Sequence, residues 1–143
     1  KQMLKGINKI VSPELLKTLS EMGHGDEIVL GDANFPAAST ARRLVRADGH
    51  GGPEILEAVM RLFPLDTFVP RPAALMSVVP GDDYTPELWP RYEAIIRAAE
   101  PGFAGFEMLE RFEFYRRTAQ AYAVVATGES GRYANIILKK GIL

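Results

Sequence analysis

Residues 22–36 read MGHGDEIVLGDANFP, and this stretch decides how the rest of the chain is arranged. The pattern predicts the end of a helix, a histidine between two glycines, a short apolar strand and then a polar loop. His24 and Asp32 therefore fall at opposite ends of one buried strand, each on a bend. Histidine exchanges protons near neutral pH. A carboxylate that follows a strand stands where open α/β sheets usually place ligand-binding groups.

The composition is that of an ordinary globular chain. It has 143 residues, of which 47% are hydrophobic and 24% charged, with a net charge of −1 and no cysteine. We predict a single domain over residues 1–143, with residues 1–2 interpreted as a cloning remnant. The balanced charge gives no reason to expect nucleic acid or a membrane surface as partner. Without cysteine there are no disulfides or thiolate ligands, and we expect a cytoplasmic protein.

Helices and short strands alternate along the chain. Serine, glycine or threonine followed by proline and glutamate marks helix starts at 12–14, 52–54 and 85–87. Periodicity predicts helices over 13–22, 53–62, 86–99 and 112–120, and strands over 27–30, 44–46, 73–79, 106–109, 121–127 and 136–139. This alternation predicts one three-layer α/β domain with a central, mostly parallel or mixed sheet of about six strands and helices on both faces. Pro90 is expected to kink or shorten the first turn of the third helix.

The chain has two histidines, which differ in their surroundings. His24 lies between glycines and is open to a ligand, but it could equally cap the end of the preceding helix, where a positive charge is favourable. His50 lies in a glycine-rich loop and is expected to face solvent. A zinc site made from His24, His50 and Asp32 would have enough ligands for catalysis. No close pair of ligands in the sequence supports it, so we predict no metal.

Two further stretches carry polar groups that follow or precede strands. Residues 128–135, GESGRYAN, fit no phosphate-binding pattern and predict a turn between two strands. Tyr133 and Asn135 are then expected on the same side of the chain, as a hydroxyl-binding pair. Arg111 follows an apolar strand, where it is either a surface ion-pair partner or a fixed hydrogen-bond donor over the strand end.

Four motifs, taken together, carry a family resemblance. They are MGHGDEI at 22–28, Asp32 followed by NFP at 34–36, VRADG at 45–49 and YANIILKKG at 133–141. In this order and spacing they resemble the ribose pyranase / fucose mutarotase (RbsD/FucU-like) family, over essentially residues 3–143. Gly25, the Asn-Phe-Pro loop and Arg111, where the ribose branch tends to carry histidine, resemble the L-fucose mutarotase branch.

The resemblance implies both an assembly and a site. It implies a three-layer α/β domain that forms a ring, commonly a homodecamer, with sugar sites near the subunit contacts. The histidine that matches His24 would transfer the proton. The positions that match the family's sugar-binding residues are Asp32, Arg111, Tyr133, Ala134 and Asn135.

The implied activity is the interconversion of α and β anomers of a free monosaccharide, L-fucose in that branch, without a cofactor. Opening a cyclic hemiacetal takes one proton from the anomeric hydroxyl and delivers one to the ring oxygen, for which general acid–base groups suffice, typically contributing about 10²–10⁴-fold. Two alternatives stay open. One is a D-ribose pyranase that converts pyranose to furanose, and the other is a non-catalytic sugar-binding or transport-accessory protein.

Overall fold

A mixed sheet forms the middle layer of the structure, a computed structural model that describes residues 4–143. The interpreted remnant at residues 1–2 lies outside the described residues. The strands are β1 (Glu27–Gly31), β2 (Leu44–Ala47), β3 (Ala73–Met76), β4 (Glu107–Leu109), β5 (Ala123–Thr127) and β6 (Ile136–Lys139). The helices are α1 (Pro13–Glu21), α2 (Ala37–Thr40), α3 (Gly52–Met60), α4 (Trp89–Ala99) and α5 (Arg111–Gln120).

The strand order is β2-β5-β1-β6-β3-β4, and β6 is antiparallel to both of its neighbours. The other pairings, β1 with β5, β2 with β5 and β3 with β4, are parallel. The predicted mixed sheet of six strands is confirmed. Because the other five strands run in one direction, their carboxyl ends meet at one edge of the sheet, where β6 begins.

Alternating side chains of the sheet enter two separate cores, as the period of a strand requires. Ile28 and Leu30 of β1 pack on the face covered by α1, α3 and α4. Val29 points to the other face, where it belongs to one cluster with Ala37 of α2 and Phe114 of α5. The sheet therefore has helices on both faces, and the predicted three-layer arrangement is confirmed. In residues 4–143 no helix is long and apolar enough to span a membrane.

Helix α1 begins as its sequence predicts. The Ser12 hydroxyl accepts a hydrogen bond from the Leu15 amide at 3.1 Å, and Pro13 occupies the first turn. At the other end the Lys140 ammonium donates to the carbonyl oxygens of Leu19 and Met22. A lysine from the end of β6 therefore satisfies the last carbonyls of α1, which is the role that the capping interpretation gave to His24.

Two predicted element bounds are wrong by three residues each, and together they change the loop over the sheet edge. Strand β3 ends at Met76 rather than at residue 79, and α4 starts at Trp89 rather than at residue 86. Pro90 consequently lies in the first turn of α4, where an amide hydrogen is not needed. Residues 77–88 form one long loop instead. The short helix α2 was not predicted.

Gly128 joins the end of β5 to the segment that follows β2. Its amide donates to the His50 carbonyl at 2.9 Å, and a β-carbon on this residue would lie 2.0 Å from the Asp48 carbonyl oxygen. Alanine at this position must displace the neighbouring backbone. We therefore expect Gly128→Ala to lower the free energy of unfolding by about 1–3 kcal/mol.

Gly102→Ala is the matched control, because a β-carbon there meets no atom within 4 Å. Both variants are compared with the parent chain by denaturant unfolding at one protein concentration. Equal midpoints for Gly128→Ala and Gly102→Ala would contradict the close packing of these two segments.

Candidate functional site

A cavity of about 320 Å³ opens at the edge where the five co-directional strands end. Four of the residues that the sequence points to line it: Asp32, Arg111, Tyr133 and Asn135. Asp32 follows β1, Arg111 follows β4, and the other two precede β6. These four side chains come from distant parts of the chain, and the strand order brings them together. The volume is at the small end of the range for ligand pockets.

Asp32 is the most enclosed carboxylate of this cavity, with 6% of the residue exposed. One of its carboxylate oxygens accepts from the Asn34 amide at 3.0 Å and the other from the Ala134 amide at 3.3 Å. Burial raises the pKa of Asp32, the amide donors oppose that change, and the negative charge of Glu129 adds to it. Each carboxylate oxygen keeps acceptor capacity, because ionised aspartate offers about four lone-pair positions.

Asn135 is tied to the same segment. Its side-chain oxygen accepts a hydrogen bond from the Asp32 amide at 2.8 Å. The oxygen is therefore occupied, and the amide nitrogen of Asn135 is the group that is left to donate to a ligand. Asp32 and Asn135 hold each other in place across the start of β6, so the cavity presents an acceptor next to a donor.

Tyr133 lies in a turn before β6 and has a left-handed backbone conformation, with φ at 56°. Tyr133 is not part of a strand, so the alternation of side chains along a strand does not explain why Tyr133 and Asn135 line the same cavity. The turn is held by α4: the Trp89 indole donates to the Tyr133 carbonyl at 2.8 Å, and the Tyr92 hydroxyl donates to the Ala134 carbonyl at 3.0 Å. Ala134 is buried, with both backbone groups bonded within the protein, and its side chain does not line the cavity.

Arg111 projects from the first turn of α5. Its guanidinium lies 5.2 Å from the ring centre of Phe112 and 5.5 Å from that of Tyr115, and its Nε donates to the Tyr115 hydroxyl at 3.3 Å. No carboxylate among residues 4–143 forms a salt bridge with it. The remaining guanidinium donors are available at the mouth of the cavity. This is the arrangement expected if Arg111 is a fixed hydrogen-bond donor over the strand end rather than a surface ion-pair partner.

Asp82 also lines this cavity, although nothing in the sequence around it indicated a site residue. Its Oδ2 accepts from the Tyr133 hydroxyl and from the Arg132 guanidinium, both at 2.7 Å, and its Oδ1 accepts from the Tyr84 amide at 3.0 Å. These donors, the Tyr133 hydroxyl first, lower the pKa of Asp82. Asp82 thus fastens the 77–88 loop to the turn before β6. The prediction that residues 77–79 belong to a strand was wrong, and for that reason this loop was not expected.

His24 lies at the opposite edge of the sheet from this cavity. It occupies the turn before β1, its side chain is 37% exposed, and its Nε2 is 3.0 Å from Oδ1 of Asp66. A strand rises about 3.3 Å per residue, so β1 and its end residues separate His24 from Asp32 by roughly 15–20 Å. One monosaccharide cannot touch both residues of the same copy.

The alternative zinc site is not assembled by this chain. No group of three histidine, cysteine, aspartate or glutamate side chains within residues 4–143 could hold a metal ion. His24 and Asp32 are at opposite edges of the sheet. His50 stands 3.8 Å from the carboxylate of Glu54, beyond hydrogen-bond distance.

Comparisons with known proteins agree with the resemblance seen in the sequence. The profile of the RbsD / FucU transport protein family matches residues 5–143, and the chain belongs to this family. It is 51% identical over 140 residues to the L-fucose mutarotase of Actinobacillus pleuropneumoniae serotype 5b (strain L20), which covers 98% of this chain and 97% of the relative.

Solved structures show the same fold. The crystal structure of the fucose mutarotase from Streptococcus pneumoniae in complex with L-fucose has a TM-score of 0.92 and 51% identity, and it covers 98% of this chain and 99% of that one. The structure of Bacillus subtilis RbsD complexed with D-ribose has a TM-score of 0.74 at 21% identity, covering 99% of each chain, which shows a shared fold.

The Asp82 contacts predict how the 77–88 loop responds to mutation. Asp82→Ala removes three hydrogen bonds to Tyr84, Arg132 and Tyr133, so we expect faster amide exchange in this loop. The pKa of Asp82 is lowered in the folded state, so its contribution is present above the ordinary aspartate range and is lost as the pH falls through the folded pKa. Acidification should therefore loosen the same loop in the parent chain.

Asp83→Ala provides the control, because Asp83 is the exposed neighbouring carboxylate. Hydrogen–deuterium exchange of residues 77–88 is measured for both variants. If Asp83→Ala accelerates exchange as much as Asp82→Ala does, the Asp82 contacts do not hold the loop.

Proposed function

We propose that this protein is an L-fucose mutarotase, an isomerase that interconverts the α and β anomers of the free sugar by opening and closing its ring. The observation that carries the proposal is the cavity at the strand ends, which combines Asp32, Arg111, Tyr133 and Asn135 in a fold that overlays on an L-fucose complex with a TM-score of 0.92. The relatives named for this activity match the chain over nearly its whole length.

The chemistry of the cavity suits a 6-deoxy sugar. The Asp32 carboxylate accepts from sugar hydroxyls, while the Asn135 amide and the Arg111 guanidinium donate to sugar oxygens. Phe35 and Met76 also line the cavity and give an apolar surface for the C6 methyl group, which ribose lacks. The Tyr133 hydroxyl already donates to Asp82, so its ring contributes mainly as a wall against the apolar face of the sugar.

The proton-transferring residue in this proposal is His24 of a neighbouring copy. The cavity in one chain lacks a histidine, because His24 of that chain is at the far edge of the sheet. An exposed aromatic ring lies beside each half of the site: Phe68, 70% exposed, contacts His24, and Phe112, 67% exposed, lies under Arg111. Aromatic side chains are enriched at subunit contacts, which is where this proposal places the two rings.

A contact between these two different faces is head-to-tail. Such contacts generate closed rings when the rotation between copies closes, which agrees with the predicted homodecameric ring. Each copy would then supply His24 to one cavity and receive the histidine of another copy at its own. The oligomer is in this account a part of the site, and the isolated chain would turn the sugar over slowly.

The reaction needs two proton transfers and no change of oxidation state. The imidazole takes the proton of the anomeric hydroxyl while the bond between C1 and the ring oxygen breaks, and solvent water gives a proton to the ring oxygen. Rotation about the bond between C1 and C2 exposes the other face of the aldehyde, and the reverse steps close the ring. Groups that bind the remaining hydroxyls hold the open chain in the cavity meanwhile. No cofactor enters this scheme.

The cytoplasmic location stays a prediction, supported by a cysteine-free chain that needs no oxidising compartment.

Saturation-transfer NMR on equilibrated sugar tests the activity and the assigned roles together. The parent chain should accelerate anomer exchange of L-fucose. His24→Gln should retain most of the affinity and lose most of the rate, about 10²–10⁴-fold. Asp32→Asn should instead weaken sugar binding by about 1.5–3 kcal/mol, because a hydroxyl loses a charged acceptor.

Other results would select the alternatives. Accelerated exchange between ribose pyranose and furanose, with none for fucose, would make the protein a ribose pyranase. Binding of either sugar without accelerated exchange would make it a non-catalytic sugar-binding protein. A His24→Gln chain that folds and exchanges fucose at the parent rate would remove His24 from the mechanism.

Mixed oligomers test whether the site is shared. His24→Gln and Asp32→Ala are each expected to be nearly inactive. When the two are unfolded together and refolded, some sites combine an intact cavity from one copy with an intact His24 from another, so activity should return. Light scattering should show a mass many times that of one chain. Mixed oligomers that form without regaining activity would mean that both residues act within one copy.

A further inference from the structure

Glu129 is a charged residue beside the candidate site that the proposed chemistry does not use. It lies just after β5, is partly buried, and does not line the cavity. Among residues 4–143 no basic side chain forms a salt bridge with it. A partly buried carboxylate without a cationic partner needs other donors, so its hydrogen bonds show which segments it joins.

The carboxylate of Glu129 joins the start of α3 to the turn before β6. Its Oε1 accepts from the Gly52 amide at 2.9 Å, and its Oε2 accepts from the Gly131 amide at 2.8 Å. Gly52 is the first residue of α3, where unpaired amides and the helix dipole favour a negative charge. The residue before it, Gly51, has no side chain that could accept this hydrogen bond. Glu129 therefore supplies the carboxylate from a distant part of the chain.

The backbone of the same segment holds both neighbours of Asp32. On one side the Ala33 amide donates to the Glu129 carbonyl at 2.8 Å. On the other side the Thr127 hydroxyl donates to the Gly31 carbonyl at 2.7 Å, and the same hydroxyl accepts from the Glu129 amide at 3.2 Å. The position of Asp32 therefore depends on where residues 127–129 lie.

The start of α3 is a rigid base for these contacts. Gly52 packs so closely against the Tyr92 hydroxyl of α4 that a β-carbon on this glycine has no room. The Tyr92 hydroxyl in turn donates to the Ala134 carbonyl at 3.0 Å. Through Glu129 the segment after β5 is fixed to a helix end that is itself packed against the support of the cavity.

We infer that Glu129 is a positioning residue for Asp32: its carboxylate fixes the segment after β5 against α3, and that segment holds Asp32 in place to accept from the sugar. This rests on the proposed function, in which Asp32 binds sugar hydroxyls. Glu129 also acts through its charge. Burial is the main reason that the pKa of Asp32 is raised, and the negative charge of Glu129 raises it further.

Other ionisable groups surround Asp32 as well, and replacing Glu129 leaves them in place. Under the proposed function the His24 of a neighbouring copy is one of them. Those of the same copy are Tyr92 of α4, Asp82 of the 77–88 loop, Arg132 and Tyr133 before β6, and Arg111 and Tyr115 of α5. A change in the pKa of Asp32 on replacing Glu129 by glutamine therefore reports the lost charge.

The first readout needs no catalysis. Carboxyl ¹³C NMR of aspartate-labelled protein gives the pKa of Asp32, and the Asp32→Asn variant identifies the signal. Glu129→Gln should lower this pKa, because a negative charge is removed, so the loss of sugar affinity on acidification should move to lower pH. An unchanged pKa of Asp32 in Glu129→Gln would overturn the inference.

Glu54→Gln is the matched control. Glu54 accepts from the Gly51 amide at 2.7 Å, so it serves the same helix start, but its side chain is exposed and binds no residue of the segment after β5. The charge of an exposed side chain is screened by solvent. Glu54→Gln should therefore leave both the pKa of Asp32 and the affinity for L-fucose unchanged.

The second readout separates positioning from proton transfer. A glutamine at position 129 cannot accept from both amides, because its nitrogen only donates. Glu129→Gln should therefore displace Asp32 and raise KM for L-fucose at neutral pH by about tenfold, with kcat nearly unchanged, since His24 is untouched. Glu129→Asp keeps the charge on a shorter side chain, so it should raise KM while the pKa of Asp32 stays close to the parent value. It also serves as the test variant if Glu129→Gln does not fold.

The outcomes distinguish this inference from the proposed function. If Asp32→Asn weakens fucose binding while Glu129→Gln keeps the parent KM, the inference is overturned and the function stands. An equal rise in KM for Glu54→Gln also overturns it, because a loosened α3 would then explain both variants. If Asp32→Asn binds fucose as the parent does, the assigned role of Asp32 fails, and the inference fails with it. A lowered pKa of Asp32, a raised KM at constant kcat and an unaffected Glu54→Gln together support it.

Discussion

Strand β1 is hydrogen-bonded along both sides, to β5 in parallel and to β6 in the opposite direction, and the rest of the structure depends on this pairing. Its side chains Ile28, Val29 and Leu30 are buried in the two cores, so the strand can neither slide nor turn over without exposing apolar surface. The pairing fixes the segments at the two ends of β1, with Asp32 at one edge of the sheet and His24 at the other. The reversed direction of β6 then brings Asn135 beside Asp32.

The cavity is built from polar groups that the fold must satisfy in any case. Buried polar atoms need hydrogen-bond partners, and no buried side-chain nitrogen or oxygen in the described part of the chain is without one. Asp32, Asn135 and the backbone of Ala134 bond to one another, and Tyr92 and Trp89 hold the same turn from α4. The same bonds that make the burial of these groups tolerable also orient the donors and acceptors that face the cavity, so stability and recognition are coupled here.

The separation of the two halves of the site has a physical consequence for assembly. A histidine held by Asp66 on one edge of the sheet and a hydroxyl-binding cavity on the other cannot both serve one sugar within one copy. Under the proposed function the site is still complete, because a second copy supplies the missing half. The exposed rings of Phe68 and Phe112, one beside each half, would be covered by the same contact. Disrupting that contact would then remove activity without altering any residue that touches the sugar.

The sequence by itself determined the element types, the three-layer class and the polar groups after β1 and before β6, because these follow from local periodicity, caps and turn residues. It also placed His24 and Asp32 at the two ends of one strand. Only the tertiary structure decided the strand order, the long loop over residues 77–88 and the contacts of Asp82 and Asp66. Those depend on contacts between residues far apart in the chain, such as Asp66 with His24 and Asp82 with Tyr133. Lys140, and not His24, binds the last carbonyls of α1. Local sequence around α1 cannot indicate this partner, because Lys140 is more than 100 residues away in the chain.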